Sequence, residues 1–334
     1  MTDKIKIGVD AMGGENSPKK ILEGIEISLK TDNNNLFFLF GKKNILEKEL
    51  NSFSSIKKYC EIVNSPDIIS DDESPLAAAK KGKETSMWMS IESQKKNITD
   101  ISLSAGNTGA LLVVSRLILN TITGINKPAL AGLWPNNFGM NIVLDLGANI
   151  ECDDKNLLDF SSMGSALFKS LFNDEIAKVA LLNVGHEEHK GKDFLKKAFL
   201  SLKENKIKNF EFIGYIEGNN IMSGKANVII TDGFTGNIAL KTAEGTANFI
   251  QDNLKNSLNI LSKIFSYSSL GRFKKKLDPR KYNGAILLGL EGPVVKSHGG
   301  TDSLGFSYSI KMCSKIIKSN LIQKIKSNLI TVDH

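Results

Sequence analysis

A chain of 334 residues with 41% hydrophobic and 24% charged residues can bury a large core, as one big α/β domain or two smaller ones. Its cysteines, Cys60, Cys152 and Cys313, are odd in number and far apart without C-x-x-C spacing, which argues against a disulfide framework or a zinc site. The net charge of +7 rests on lysine, with only Arg116, Arg272 and Arg280 as arginines, so dedicated nucleic-acid reading is disfavoured; lysine excess suits an acidic protein partner, an anionic membrane surface, or simple solubility.

The N-terminus runs straight into a strand-like segment with no signal-peptide pattern, and no apolar run approaches the roughly 20 residues of a membrane span, so a cytoplasmic chain is expected. Short β-branched runs predict strands over 4–10, 36–40, 61–64, 100–104, 141–146, 178–183, 210–214, 227–231 and 285–288. Apolar residues at three- and four-residue spacing predict helices between them, for example over 18–30, 156–172 and 194–204. Such alternation predicts a mostly parallel sheet covered by helices on both faces, with ligands at the carboxyl ends of the strands. Five strand ends carry Gly with Asp or Asn: residues 10–14, 105–109, 145–149, 183–185 and 232–237. They are expected to gather on one edge of the sheet. The stretch 244–281 breaks the alternation. It is helical throughout, with a stripe of Leu254, Leu258, Leu261 and Phe265 beside Ile260, Ile264 and Tyr267, followed by Arg272, Lys274, Lys275 and Lys276. That pattern suits an interfacial helix or a hairpin buried against the body or another subunit.

Two strand-end loops share one pattern, Gly106-Asn107-Thr108-Gly109 and Gly233-Phe234-Thr235-Gly236, and each opens a helix. Unpaired N–H groups at a helix start, together with glycines that allow close approach, predict an anion site. Other signatures fail. There is no G-x-G-x-x-G and no G-x-S-x-G. The stretch 185–193 has Asp193 where a P-loop needs Ser or Thr, and His186-Glu187-Glu188-His189 is one residue short of H-E-x-x-H, so it reads as a surface turn.

The segments DAMGG (10–14), SAGNTGA (104–110), LDLGAN (144–149), LLNVG (181–185) with Lys190-Gly191, TDGFTGN (231–237) and His298-Gly299 follow the order and spacing of the bacterial phosphate acyltransferase family, PlsX type. The chain resembles that family over nearly its whole length. The resemblance implies a three-layer αβα sandwich related to phosphotransacetylase and isocitrate dehydrogenase-like enzymes. It also implies one domain over 1–334 with a protruding helical segment at about 244–281, a homodimer, and neither metal nor cofactor. The implied reaction moves a fatty acyl group from acyl carrier protein to inorganic phosphate, and the acyl phosphate then serves a membrane-bound glycerol-3-phosphate acyltransferase in phospholipid synthesis. Peripheral membrane contact through the 244–281 segment fits the same picture. Glu15-Asn16, His186 and Asn283 depart from the family pattern.

Phosphate is itself the nucleophile in such a reaction and a thiolate leaves readily, so positioning and oxyanion stabilisation carry the catalysis. Gly106, Asn107, Thr108 and Gly109 are expected to hold phosphate. Thr235, Gly236 and Asn237 form a second donor cluster, with Lys241 in reach of the same anion. Asp10, Asp145, Asn149 and Asp232 are expected to support these groups from behind by capping helices and orienting Asn and Lys side chains. His298 is the candidate to protonate the leaving thiolate. The competing readings are a phosphotransacylase that uses acyl-CoA and a non-catalytic adaptor at a membrane surface.

Overall fold

A computed structural model describes residues 4–172, 175–204, 208–257, 278, 280 and 283–329. The strands are β1 (Ile5–Asp10), β2 (Asn35–Gly41), β3 (Cys60–Asn64), β4 (Ile101–Ser104), β5 (Ala129–Asn136), β6 (Gly139–Leu144), β7 (Ala177–Leu182), β8 (Phe210–Ile216), β9 (Val228–Ile230), β10 (Ala285–Leu288) and β11 (Val294–Lys296). The helices are α1 (Lys19–Leu29), α2 (Lys43–Asn51), α3 (Pro75–Lys81), α4 (Ser86–Lys95), α5 (Thr108–Leu119), α6 (Asp154–Leu171), α7 (Asp193–Glu204), α8 (Gly233–Ser257), α9 (Ser303–Lys318) and α10 (Leu321–Asn328).

The strands form one sheet in the order β3-β2-β1-β4-β11-β10-β5-β6-β9-β7-β8. In β5 to β11, alternate side chains enter separate cores, as the two-residue period of a strand requires. Ile7, Val9, Ile142, Leu144, Ile286 and Leu288 join one core with Ile21, Leu22, Phe160, Phe306 and Ile310, which lie on α1, α6 and α9. Val143, Leu287 and Ile229 join the other with Met87, Leu111 and Val114 from α4 and α5. The result is a three-layer αβα sandwich, and each fully buried Leu, Ile or Phe adds roughly 1.5–3 kcal/mol of burial energy.

Direction within the sheet overturns one expectation. Strands β3, β2, β1, β4 and β11 are mutually parallel, and so are β6, β9, β7 and β8. The pairings β11/β10, β10/β5 and β5/β6 are all antiparallel, so the two parallel halves run in opposite directions. The five Gly-rich strand ends therefore divide between two edges: those after β1 and β4 lie on one, and those after β6, β7 and β9 on the other. Two unread strands account for the error. In β5 the apolar run is broken by Gly132 and Pro135, and β11 is only Val294-Val295-Lys296.

Local capping explains where helices begin. Asn107 accepts the Ala110 N–H at the start of α5, Asp302 accepts the Gly305 N–H at the start of α9, and Asp153 with Asn156 forms a reciprocal capping box on α6. Helix α8 starts at the end of β9 and packs Ala239, Leu240 and Ala243 on the second core. From Gly245 to Ile250 every residue is exposed, so this part of α8 stands away from the body. The apolar stripe from Leu254 to Tyr267 and the basic cluster Arg272 to Lys276 lie outside the described residues and side chains.

Candidate active site

At the edge where β1, β4 and β11 end, the buried Asp10 organises three segments. Its carboxylate accepts hydrogen bonds from Ser86 Oγ (2.6 Å) on α4 and Ser104 Oγ (2.7 Å) on β4. Ser104 Oγ in turn accepts the Gly106 N–H (3.1 Å). Burial pushes the Asp10 carboxyl above the usual range, against those hydroxyl bonds and the nearby Lys296 charge. Two lysines meet at this edge. Lys20, on the inner face of α1, donates to Gly299 O (2.6 Å), and Lys296, the last residue of β11, donates to Ala105 O (3.4 Å) and Ser297 O. They are only 5% and 8% exposed. Among the described residues no carboxylate is ion-paired with either one. Burial lowers the affinity of both for a proton: Lys20 shifts down against Glu15 and Asp71, and Lys296 falls to about 8, with Asp71 and Asp10 opposing the fall and Lys20 and Lys241 adding to it.

His298 follows on the same strand end. Its backbone N–H donates to Asn283 Oδ1 (2.9 Å), and its Nδ1 accepts the Gly300 N–H (3.2 Å). Accepting at Nδ1 places the neutral ring's proton on Nε2. Burial first, and the Lys296 charge second, hold its pKa below the ordinary histidine value. His298 is therefore a neutral hydrogen-bond donor near pH 7. A neutral imidazole is a poor acid for a thiolate but a good Nε2–H donor to an oxyanion.

The loop 106–109 is built differently from expectation. Gly106 has given its N–H to Ser104. Asn107 uses Oδ1 on the α5 cap and Nδ2 on the carbonyl oxygens of Asp71 (3.0 Å) and Glu73 (2.8 Å), so its side chain ties down the acidic 70–73 loop and is not free for an anion. Thr108, which is exposed, and Gly109 open α5, where the first N–H groups have no intrahelical partner.

At the opposite edge, Asp145 is fully buried and saturated. It accepts the N–H groups of Leu130, Gly147 and Ala148 at Oδ1, and both the N–H and Nδ2 of Asn149 at Oδ2. Asp232 caps α8 by accepting the Thr235 N–H and hydroxyl (both 2.8 Å), and the Gly236 N–H bonds Asp232 O. The donors of Thr235 and Gly236, expected to face an anion, are thus spent inside the cap. Gly236 is required for a different reason: a methyl group there would run into the Asp145 carbonyl oxygen. Asn237 is exposed and lies against Gly147. This edge launches α8, and α8 carries Lys241 and Glu244, paired at 2.8 Å, to where their charges act on His298 at the other edge.

Residues 5–324 match the family described as Fatty acid synthesis protein. The chain belongs to this family. It is 54% identical to a phosphate acyltransferase of Pelagibacter ubique over 98% of this chain and 100% of the relative. It is 40% identical to a phosphate acyltransferase of Nitrobacter hamburgensis over 98% and 95%. The chain is an acyltransferase. Its fold is that of a phosphotransacetylase from Staphylococcus aureus (TM-score 0.60, 16% identity, covering 95% and 94%) and of a branched-chain phosphotransacylase from Enterococcus faecalis (TM-score 0.59, 13% identity, covering 94% and 99%).

For an acyltransferase, the residues missed in sequence matter most: Lys20, Lys296, Ser86 and Ser104. A signal existed for Lys296, a charge closing the apolar run Val294-Val295 two residues before His298. Lys20 was hidden because a lone lysine on a helix reads as solvent-facing. Among the described residues no group of three or more His, Cys, Asp or Glu side chains is placed to hold a metal, and no helix is long and apolar enough to cross a membrane.

Proposed function

We propose that the chain transfers a fatty acyl group from the thioester of acyl carrier protein to inorganic phosphate, forming acyl phosphate for phospholipid synthesis. The observation that carries this reading is the strongly cationic edge formed by the buried Lys20 and Lys296, beside which neither the cysteines nor Ser86 and Ser104 are activated nucleophiles. Burial pushes the Cys60 thiol up to about 12 and Cys152 to about 11, and raises Cys313 further, so none supplies a thiolate at neutral pH. Ser86 and Ser104 are bonded to Asp10, and His298 Nδ1, occupied by Gly300, is no base for either. Phosphate is itself a nucleophile, and one that this cationic edge attracts.

A phosphate oxygen attacks the thioester carbonyl carbon, and the carbonyl oxygen takes the electron pair. His298 Nε2–H is the donor to that oxyanion. Collapse breaks the C–S bond, and the thiolate leaves without needing a protein acid, because its conjugate thiol has a pKa of about 8.5. The lysine excess supports an acidic carrier protein as the acyl donor, through long-range attraction that salt would weaken. Incubating the protein with acyl carrier protein thioester or acyl-CoA, with and without phosphate, and following acyl phosphate by mass spectrometry tests the reading. Phosphate-dependent product from the carrier thioester is expected. Product only from acyl-CoA would transfer the assignment to a CoA-dependent phosphotransacylase, and liposome binding without turnover would favour the adaptor.

A further inference from the structure

We infer that Lys20 and Lys296, reaching one strand edge from α1 and β11, together form the receptor that holds the phosphate dianion, with Gly14 kept bare between them; the identity of the anion rests on the reaction proposed above. An ammonium has three N–H groups. Lys20 directs one at Gly299 O, and Lys296 bonds two carbonyl oxygens, so both retain donor capacity while more than nine-tenths buried. Buried charge without an ionised partner is among the most costly arrangements a fold can keep, and two such groups that also repel each other are costlier. A dianion removes both costs at once.

Gly14 adopts φ 81°, and a Cβ there would lie 2.9 Å from Ala105 O and 3.1 Å from Gly299 O. Those are the carbonyls that receive Lys296 and Lys20, so the two ammonium groups are anchored on carbonyls that close around the same bare Cα. Thr108 and the start of α5 adjoin this point through Ala105 and Gly106, adding uncommitted N–H groups and a partial positive charge. Asp71 acts on both lysines across the loop that Asn107 ties down, and it partly neutralises them without contacting them. The two lysine charges attract a divalent anion more strongly than a monovalent one such as acetate.

The test measures inorganic phosphate binding to the full chain by calorimetry, with sulfate and acetate as comparison anions, for the wild type, Lys20→Met and Lys296→Met. Each substitution is expected to weaken phosphate binding by at least about 30-fold, the scale for removing one member of a buried charge pair, while the KM for the acyl donor stays within about twofold of wild type. Phosphate affinity unchanged in both folded variants would overturn the proposal. Should a methionine variant fail to fold, amine acetylation of the wild type read by mass spectrometry decides: phosphate is expected to protect Lys20 and Lys296, and equal labelling with and without phosphate would refute the site. Binding needs no acyl donor, so the two claims separate. Lysine-dependent phosphate binding without acyl phosphate formation would sink only the reaction. Acyl phosphate formation by both variants at an unchanged phosphate KM would sink only the receptor.

Discussion

Raising the pH across the titration of Lys296 should disable phosphate use while sparing the acyl donor. Burial draws this lysine from 10.5 to about 8, with Asp71 and Asp10 opposing and Lys20 and Lys241 reinforcing the fall. Above pH 8 the charged fraction drops about tenfold per pH unit, so kcat/KM for phosphate, which reports the free enzyme, should fall about tenfold between pH 8.5 and 9.5. Saturating phosphate holds the proton on the lysine, so kcat should fall less. His298 titrates below its ordinary value and leaves this alkaline limb alone. The same shift has a stability consequence. Burying the charged form costs about 3 kcal/mol while both folded and unfolded states are protonated, that is, below pH 8. From pH 8 to 10.5 the folded lysine is neutral while the unfolded one is still charged, so this cost fades. Lys296→Met should therefore stabilise the phosphate-free protein at pH 7 by about 1–2 kcal/mol, once about 1–2 kcal/mol is subtracted for carbonyls that lose a donor, and the gain should vanish near pH 10. Steady-state kinetics from pH 6.5 to 9.5 and urea melts at pH 7 and 10 provide the readouts. A phosphate kcat/KM that stays level to pH 9.5, or that falls identically in Lys296→Met, would refute the reasoning.

Gly236→Ala should destabilise the protein by about 3 kcal/mol or more and abolish turnover, because the new methyl meets the Asp145 backbone rather than a movable side chain; denaturant melts check this, and the roughly 1 kcal/mol gain usual for Gly→Ala in a helix would be the contrary result. Asp159 is 6% exposed with no hydrogen-bond partner at Oδ2, and burial raises its pKa to about 6, with Asp153 adding and Lys155 opposing. The folded state thus holds this proton more tightly than the unfolded chain, and stability falls as pH rises from about 4 through 6; Asp159→Asn should add about 2 kcal/mol at pH 8, after discounting for solvent screening, and almost nothing at pH 4, by urea melts at the two pH values. Asn107→Asp keeps the α5 cap but loses the Nδ2 donor to Asp71 O and Glu73 O, so amide exchange at residues 70–73 should accelerate at least about fivefold, with the overall unfolding free energy changed by less than about 1 kcal/mol.

The long α8 links the two sheet edges. Asp145, Asn149 and Asp232 hold its first turn in place, and the effect of that anchorage is felt at Lys241 and Glu244, beside His298. Substitutions at the launching edge should therefore act on catalysis through the placement of α8.

Sequence alone determined what is decided over a few residues. The β-branched runs of β1, β4 and β9 and the cap at Asp232 depend on neighbours within three positions, and the ordered glycine motifs are family marks that need no structure to see. Tertiary structure decided what depends on partners far along the chain. Sheet direction reverses through β10 and β5, which pair residues about 155 positions apart, and no local pattern announces that. The same limit hid the cationic edge: Lys20 and Lys296 are 276 positions apart in sequence, and a lysine is presumed solvated until the fold buries it. It also misassigned Asn107 and Thr235, whose side chains look free to bind a ligand but are consumed by a loop and a cap, because a hydrogen bond satisfied inside the protein cannot be distinguished in sequence from one offered to an anion.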